Sequence, residues 1–169
     1  MKRNFRLNDF SIIILIFMLS RLIVMFLDIR MSLGPLYSYW QYLDVETLKH
    51  HLFAGVWFDH AQPPVFNLFL GLMVKCFGES ALAFGVVFKI ISLLNGLLLY
   101  TLIQKFTRIS WLPLLITIFY LLSPATLIFE CELFYTTFVS LLLLTTVYFI
   151  FRFHANTSAA NLIGILLPM

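Results

Sequence analysis

The feature that most constrains this chain is a succession of apolar runs too long to be the core of a small water-soluble domain. Residues 10–27, 63–77, 80–104, 111–129 and 133–151 are predominantly apolar, and another apolar stretch opens at Leu162 and continues toward Met169. The chain is 62% hydrophobic and 11% charged, with a mean hydropathy of +0.98. So little charge leaves a soluble surface uncovered. In hydrocarbon, backbone amides find partners only within a helix or around a closed barrel, and no run alternates with the period of a barrel strand. The expected fold is therefore an all-α integral membrane protein. It has about five hydrophobic helices plus a truncated sixth, in a single transmembrane module over residues 1–169, with no internal repeat and no soluble domain.

The charges outside these runs predict an orientation. Lys2, Arg3 and Arg6 precede the first run, which is about long enough to span and is followed by no small-x-small cleavage signal. An uncleaved first helix with a cytoplasmic amino terminus is expected. The loop over residues 28–62 then lies outside, carrying Asp28, Asp44, Glu46 and Asp59 against Arg30 and Lys49. The run 63–77 is short. If it does not cross, Lys105, Arg108 and Arg152 fall inside, and Glu130 and Glu132 face out, as the positive-inside tendency favours. The net charge of +3 sits mostly near helix ends and calls for no nucleic acid; the partner it implies is the lipid bilayer. Cys76 and Cys131 have no metal-binding spacing and are expected to be two buried thiols.

The first loop is the most informative segment. Asp44 stands where an N-cap belongs. Val45, Leu48, Leu52 and Val56 follow on one face at helical spacing, predicting an amphipathic helix over about residues 44–57 at the membrane surface. Tyr37, Tyr39, Trp40, Tyr42 and Trp57 supply interfacial aromatics. The loop closes on Asp59-His60-Ala61-Gln62-Pro63-Pro64-Val65-Phe66-Asn67, where two prolines start the next helix at positions that need no amide hydrogen. His60, Gln62 and Asn67 make that helix mouth polar. Such a place could hold a polar headgroup whose lipid tail stays in the membrane.

Three segments carry a resemblance: Tyr42-Leu43-Asp44-Val45-Glu46-Thr47-Leu48, His60 through Asn67, and Ser123-Pro124 with Glu130-Cys131-Glu132-Leu133-Phe134-Tyr135. With an Arg inside the first helix, this order resembles the amino-terminal module of GT-C-fold glycosyltransferases. These are the polyprenyl-phosphate-sugar-dependent enzymes related to protein O-mannosyltransferases and aminoarabinose lipid A transferases. The chain departs from their pattern at three points. Val45 separates the acidic pair, Ala61-Gln62 and Asn67 stand where some members have Lys near the Pro-Pro, and Glu132 stands where Asp is common. The resemblance implies sugar transfer from a polyprenyl-phosphate donor to an acceptor at the outer face of a bacterial inner (cytoplasmic) membrane. It implies Asp44 as the catalytic carboxylate, removing the acceptor's proton. Glu46, His60, Gln62, Asn67, Glu132 and Arg21 are the candidate substrate-binding residues, with Arg21 neutralising the donor phosphate.

Structural roles compete with these. Asp44 serves equally well as a helix cap, Glu46 as a first-turn carboxylate favoured by the helix dipole, and Lys89 as a side chain reaching for the interface. His50, His51 and His60 lack the spacing of a metal site, so no metal ligands are assigned. Some members of the family use a divalent ion, which Asp44 and Glu132 would hold here, and others use none, so no cofactor is assigned. A transporter-like protein, with Arg21, Lys89, Asn95 and Glu132 along a polar path, and a non-catalytic membrane subunit or fragment are the rival functions.

Overall fold

A computed structural model describes residues 7–38, 42–58 and 64–166. The described residues form helices α1 (Leu7–Phe26), α2 (Pro35–Ser38), α3 (Val45–His50), α4 (Leu52–Phe58), α5 (Pro64–Phe77), α6 (Ala81–Phe106), α7 (Leu112–Leu122), α8 (Pro124–Cys131), α9 (Thr136–Ala155) and α10 (Ala159–Leu166). Among the described residues, each predicted apolar run consists mainly of helix. The lengths separate them, however. Asn8–Phe26, Ala81–Phe106 and Thr136–Ala155 are long and apolar enough to cross a membrane, and α7 with α8 makes a fourth if the bent pair counts as one span. That gives three or four helices of spanning length, with α5, the short run, as a shorter apolar helix beside them.

Local chemistry sets the ends. Asp28 leaves α1 with φ of 56°, a left-handed conformation that Asp tolerates better than most residues. Ser80 caps α6 by accepting the Ala83 amide hydrogen. The predicted run 111–129 is broken rather than continuous. Pro124 has no amide hydrogen to continue α7; it becomes the first residue of α8, capped by Ser123, and the two helices meet at a 49° bend.

α1 and α6 run antiparallel. Asp9, at the start of α1, accepts a hydrogen bond from Tyr100 near the end of α6 (2.6 Å), while Met31, just past α1, packs on Gly85 near the start of α6. α6 is the hub, packing on α7 and α9. Gly96 lets Leu121 approach so closely that a Cβ would fall 2.8 Å from its Cδ2. Small residues at such crossings are how helices associate tightly without a hydrophobic driving force.

α3, α4 and α5 form a separate cap at one end of the bundle. Asn67, in the first turn of α5, accepts a hydrogen bond from the Leu43 amide (3.0 Å). Glu79, just beyond the other end, accepts from Lys49 (2.5 Å) and from the Tyr37 hydroxyl. Both ends of α5 are thus tied to the first loop. The predicted amphipathic helix is two helices, interrupted at His51. Its apolar stripe is as expected, but its partner differs. Leu48 and Leu52, with Val45 and Val56 beside them, bury against Phe66, Leu70 and Met73 of α5. The side chains turned outward are Phe53, Trp57 and Phe58 of α4. Cys131 is buried as expected, whereas Cys76, at the end of α5, is exposed.

Candidate functional site

The cap brings the resemblance-bearing segments together. Tyr42 buries its ring against Phe66 and donates its hydroxyl to the Leu133 carbonyl (3.0 Å). Leu43 is held by Asn67. Ser32 bonds on both sides of Glu132, donating to the Cys131 carbonyl (2.8 Å) and accepting from the Leu133 amide (3.3 Å). Segments 42–44 and 131–133 and the first turn of α5 therefore share one end of the molecule.

Within this assembly the candidate residues occupy different settings. Asp44 is exposed and caps α3. Its Oδ1 accepts the Thr47 amide hydrogen (2.9 Å) and its Oδ2 the Thr47 hydroxyl (2.7 Å). These two bonds, the hydroxyl's first, hold its carboxyl below the ordinary value of 3.8; a carboxylate so stabilised is ionised at neutral pH and is a weaker base. Glu46 is exposed and lies 3.4 Å from His50. Asn67 is fully buried, with its Oδ1 engaged by Leu43, so it positions the backbone beside Asp44. Glu132 is exposed and ends α8. His60 and Gln62 lie outside the described residues.

Arg21 sits elsewhere, inside the bundle, with Glu130 as its partner. Their side chains are 6% and 1% exposed. Arg21 donates Nε to Glu130 Oε2 (2.8 Å) and Nη2 to Oε1, a bidentate pair. Its Nη1 donates to the Ser20 hydroxyl (2.8 Å) and to the Leu121 carbonyl (2.9 Å), and its guanidinium lies 4.1 Å from the centroid of the Phe17 ring. Leu121 is in the last turn of α7, where the break at Pro124 leaves carbonyls without helical partners. A cation there also answers the negative end of the helix dipole. Arg21 therefore fills the crook of the bent pair, capping α7 and pairing with α8. Glu130, expected at the outer surface beside Glu132, is instead buried. Glu130 lies on α8 and faces the bundle, whereas Glu132, just past the end of α8, has extended backbone (φ −124°, ψ 136°) between the two Ser32 hydrogen bonds and is exposed.

Two cavities flank the carboxy-terminal half of α1. One, of about 590 Å³, lies between α1 and α6, with Arg21, Asp28, Arg30 and Lys89 among its lining. The other, of about 470 Å³, lies between α1 and α8 and includes Arg30 and Glu132. Asp44 lines neither. Among the described residues, no three His, Cys, Asp or Glu side chains are grouped to hold a metal ion. Comparison with protein-family profiles, curated proteins and solved structures finds no match to the chain.

Proposed function

We propose that the chain is a membrane glycosyltransferase of the GT-C type, transferring a sugar from a polyprenyl-phosphate donor to an acceptor at the outer membrane face. The supporting observation is the convergence at one end of the bundle. The Tyr42 hydroxyl bonds to Leu133, and Asn67 holds Leu43, joining the three segments that carry the resemblance. Asp44 is the general base of this proposal. For it to act, the acceptor hydroxyl displaces the Thr47 hydroxyl from Oδ2, while Oδ1 keeps the Thr47 amide and the helix cap. The proton passes to Asp44 as the acceptor oxygen attacks the anomeric carbon and the lipid phosphate leaves. Arg21, committed to Glu130 and Leu121, shapes the site through the bend of α7 and α8.

In this reading the amino terminus is cytoplasmic, in a bacterial cytoplasmic membrane. α1, α6, the joined α7–α8 and α9 cross, while α5 stays with the first loop. Lys105, Arg108 and Arg152 then fall inside, as the positive-inside tendency favours.

The test is transfer from a labelled polyprenyl-phosphate sugar in membranes containing the parent protein or Asp44→Asn. Asn caps a helix about as well as Asp but cannot take the proton. Loss of general-base catalysis should lower transfer by about 10²–10⁴-fold. Transfer that persists in Asp44→Asn removes Asp44 from the mechanism. The engagement of both Asp44 oxygens by Thr47 favours a second reading, a non-catalytic membrane subunit in which Asp44 is only a cap. That reading predicts no transfer by the parent protein.

A further inference from the structure

We propose that the cavity between α1 and α6 binds the phosphate of an anionic membrane lipid, with Lys89 holding the charge. Its volume, about 590 Å³, falls in the range of small-molecule sites, roughly 300–1,000 Å³. Met18, Leu22 and Met25 of α1 and Leu82 and Val86 of α6 line it, and all five are exposed. The apolar wall therefore opens sideways, onto the surface that two membrane-crossing helices turn toward lipid.

Charge selects the occupant. Of the cations lining the cavity, Arg21 is paired with Glu130 and Arg30 with Asp28 (2.7 Å). Lys89 is left over. Among the described residues no carboxylate lies within ion-pair range of its ammonium, whose one hydrogen bond, to the Gly85 carbonyl, is 3.5 Å long. Lys89 stands eight residues into α6, about 12 Å along the axis at the helical rise. From there its ammonium reaches back to the level of Gly85, 3.6 Å from where a Cβ on Gly85 would lie, and a charge beside this apolar wall is costly unless it meets an anion or water. Its side chain leans toward the helix start, on the side where Arg30 and Asp28 line the same space. A lipid phosphate answers both halves of the site: its acyl chains lie on the methionine and leucine wall, and its anionic oxygens meet Lys89. Soluble phosphate would leave the apolar wall unused, and a net-neutral lipid would leave Lys89 uncompensated. Nothing in this site requires sugar transfer.

The test is native mass spectrometry of the whole chain released from detergent micelles, with phosphatidic acid and phosphatidylcholine as probes and inorganic phosphate as competitor. Phosphatidic acid is expected to be retained in preference to phosphatidylcholine and not to be displaced by inorganic phosphate. Lys89→Gln should weaken its binding about tenfold, the value of one charge-assisted hydrogen bond, and Lys89→Arg should preserve it. Val86→Trp, on the exposed wall, should block the lipid while leaving Lys89 in place; it decides the matter should Lys89→Gln lose helical circular dichroism. The proposal is overturned if Lys89→Gln or Val86→Trp retains the lipid as the parent does, if the two lipids bind alike, if inorganic phosphate competes, or if crosslinking across the cavity captures a second protein helix there.

Discussion

Asp44 and Glu130 are both carboxylates hydrogen-bonded through both oxygens, yet they illustrate opposite ways of holding a charge. Asp44 is exposed, and its partner, Thr47, is three residues away. Glu130 is 1% exposed, and its partner, Arg21, is 109 residues away. The first interaction closes one helix turn in reach of water, which could replace it. The second joins α1 to α8, and with the Arg21–Leu121 bond to α7, where water is not at hand. A local, solvated bond contributes little and tolerates substitution. A distant, desolvated pair is unforgiving, because removing one partner strands the other charge.

The comparison breaks most readily at the buried pair. Glu130→Ala leaves the Arg21 guanidinium buried without its carboxylate, and the cost of breaking such a pair is about 3–5 kcal/mol. The parent and variant would be compared by titrating denaturing detergent into mixed micelles while following helical circular dichroism. Arg21→Met combined with Glu130→Leu removes both charges and should recover most of the loss, since apolar replacement of a whole buried pair is often neutral. A Glu130→Ala protein as stable as the parent would mean that the pair does not hold the bend.

A smaller effect is expected in the cap. Asn67→Ala removes the acceptor of the Leu43 amide, an unsatisfied donor costing about 1–3 kcal/mol. Because α3 and α4 pack mainly on α5, the loss should stay in the cap. Hydrogen exchange over residues 42–58 should accelerate while that of α6 does not. Equal acceleration in α6 would show that cap and bundle unfold as one unit.

What was legible in the sequence follows the same division between local and distant. The helical class, the approximate extent of the long apolar helices, the Asp44 cap and the stripe of Val45, Leu48, Leu52 and Val56 are all properties of neighbouring residues. The surface against which the stripe packs was not legible. Periodicity marks an apolar face without saying whether lipid or α5 covers it. The role of Pro124 was half legible. A proline predicts an interruption, but the capture of Leu121 by Arg21 depends on another helix. Glu130 was the main miss. An Arg within an apolar run asks for an acidic partner, and Glu130 and Glu132 both stood between two such runs; which one turns inward depends on where α8 ends, at Cys131, and on the pairing of the chain beyond it with Ser32.

The smallest effect, and the one that sharpens the contrast, belongs to Asp44. Asp44→Ala loses the N-cap, at about 1 kcal/mol, whereas Asp44→Asn retains it almost fully. The pH dependence has a definite sign. The folded-state value of Asp44 lies below its ordinary 3.8, so its stabilisation is fully present above the unfolded value. That contribution is lost as pH falls through the depressed folded value. Acid should therefore weaken α3 in the parent and leave Asp44→Asn comparatively indifferent over the same range. Exchange of the Thr47 amide, followed downward from neutral pH after correction for its intrinsic rate, separates the two. A parent whose corrected exchange tracks that of Asp44→Asn throughout would show that the ionised carboxylate contributes no more than a neutral cap.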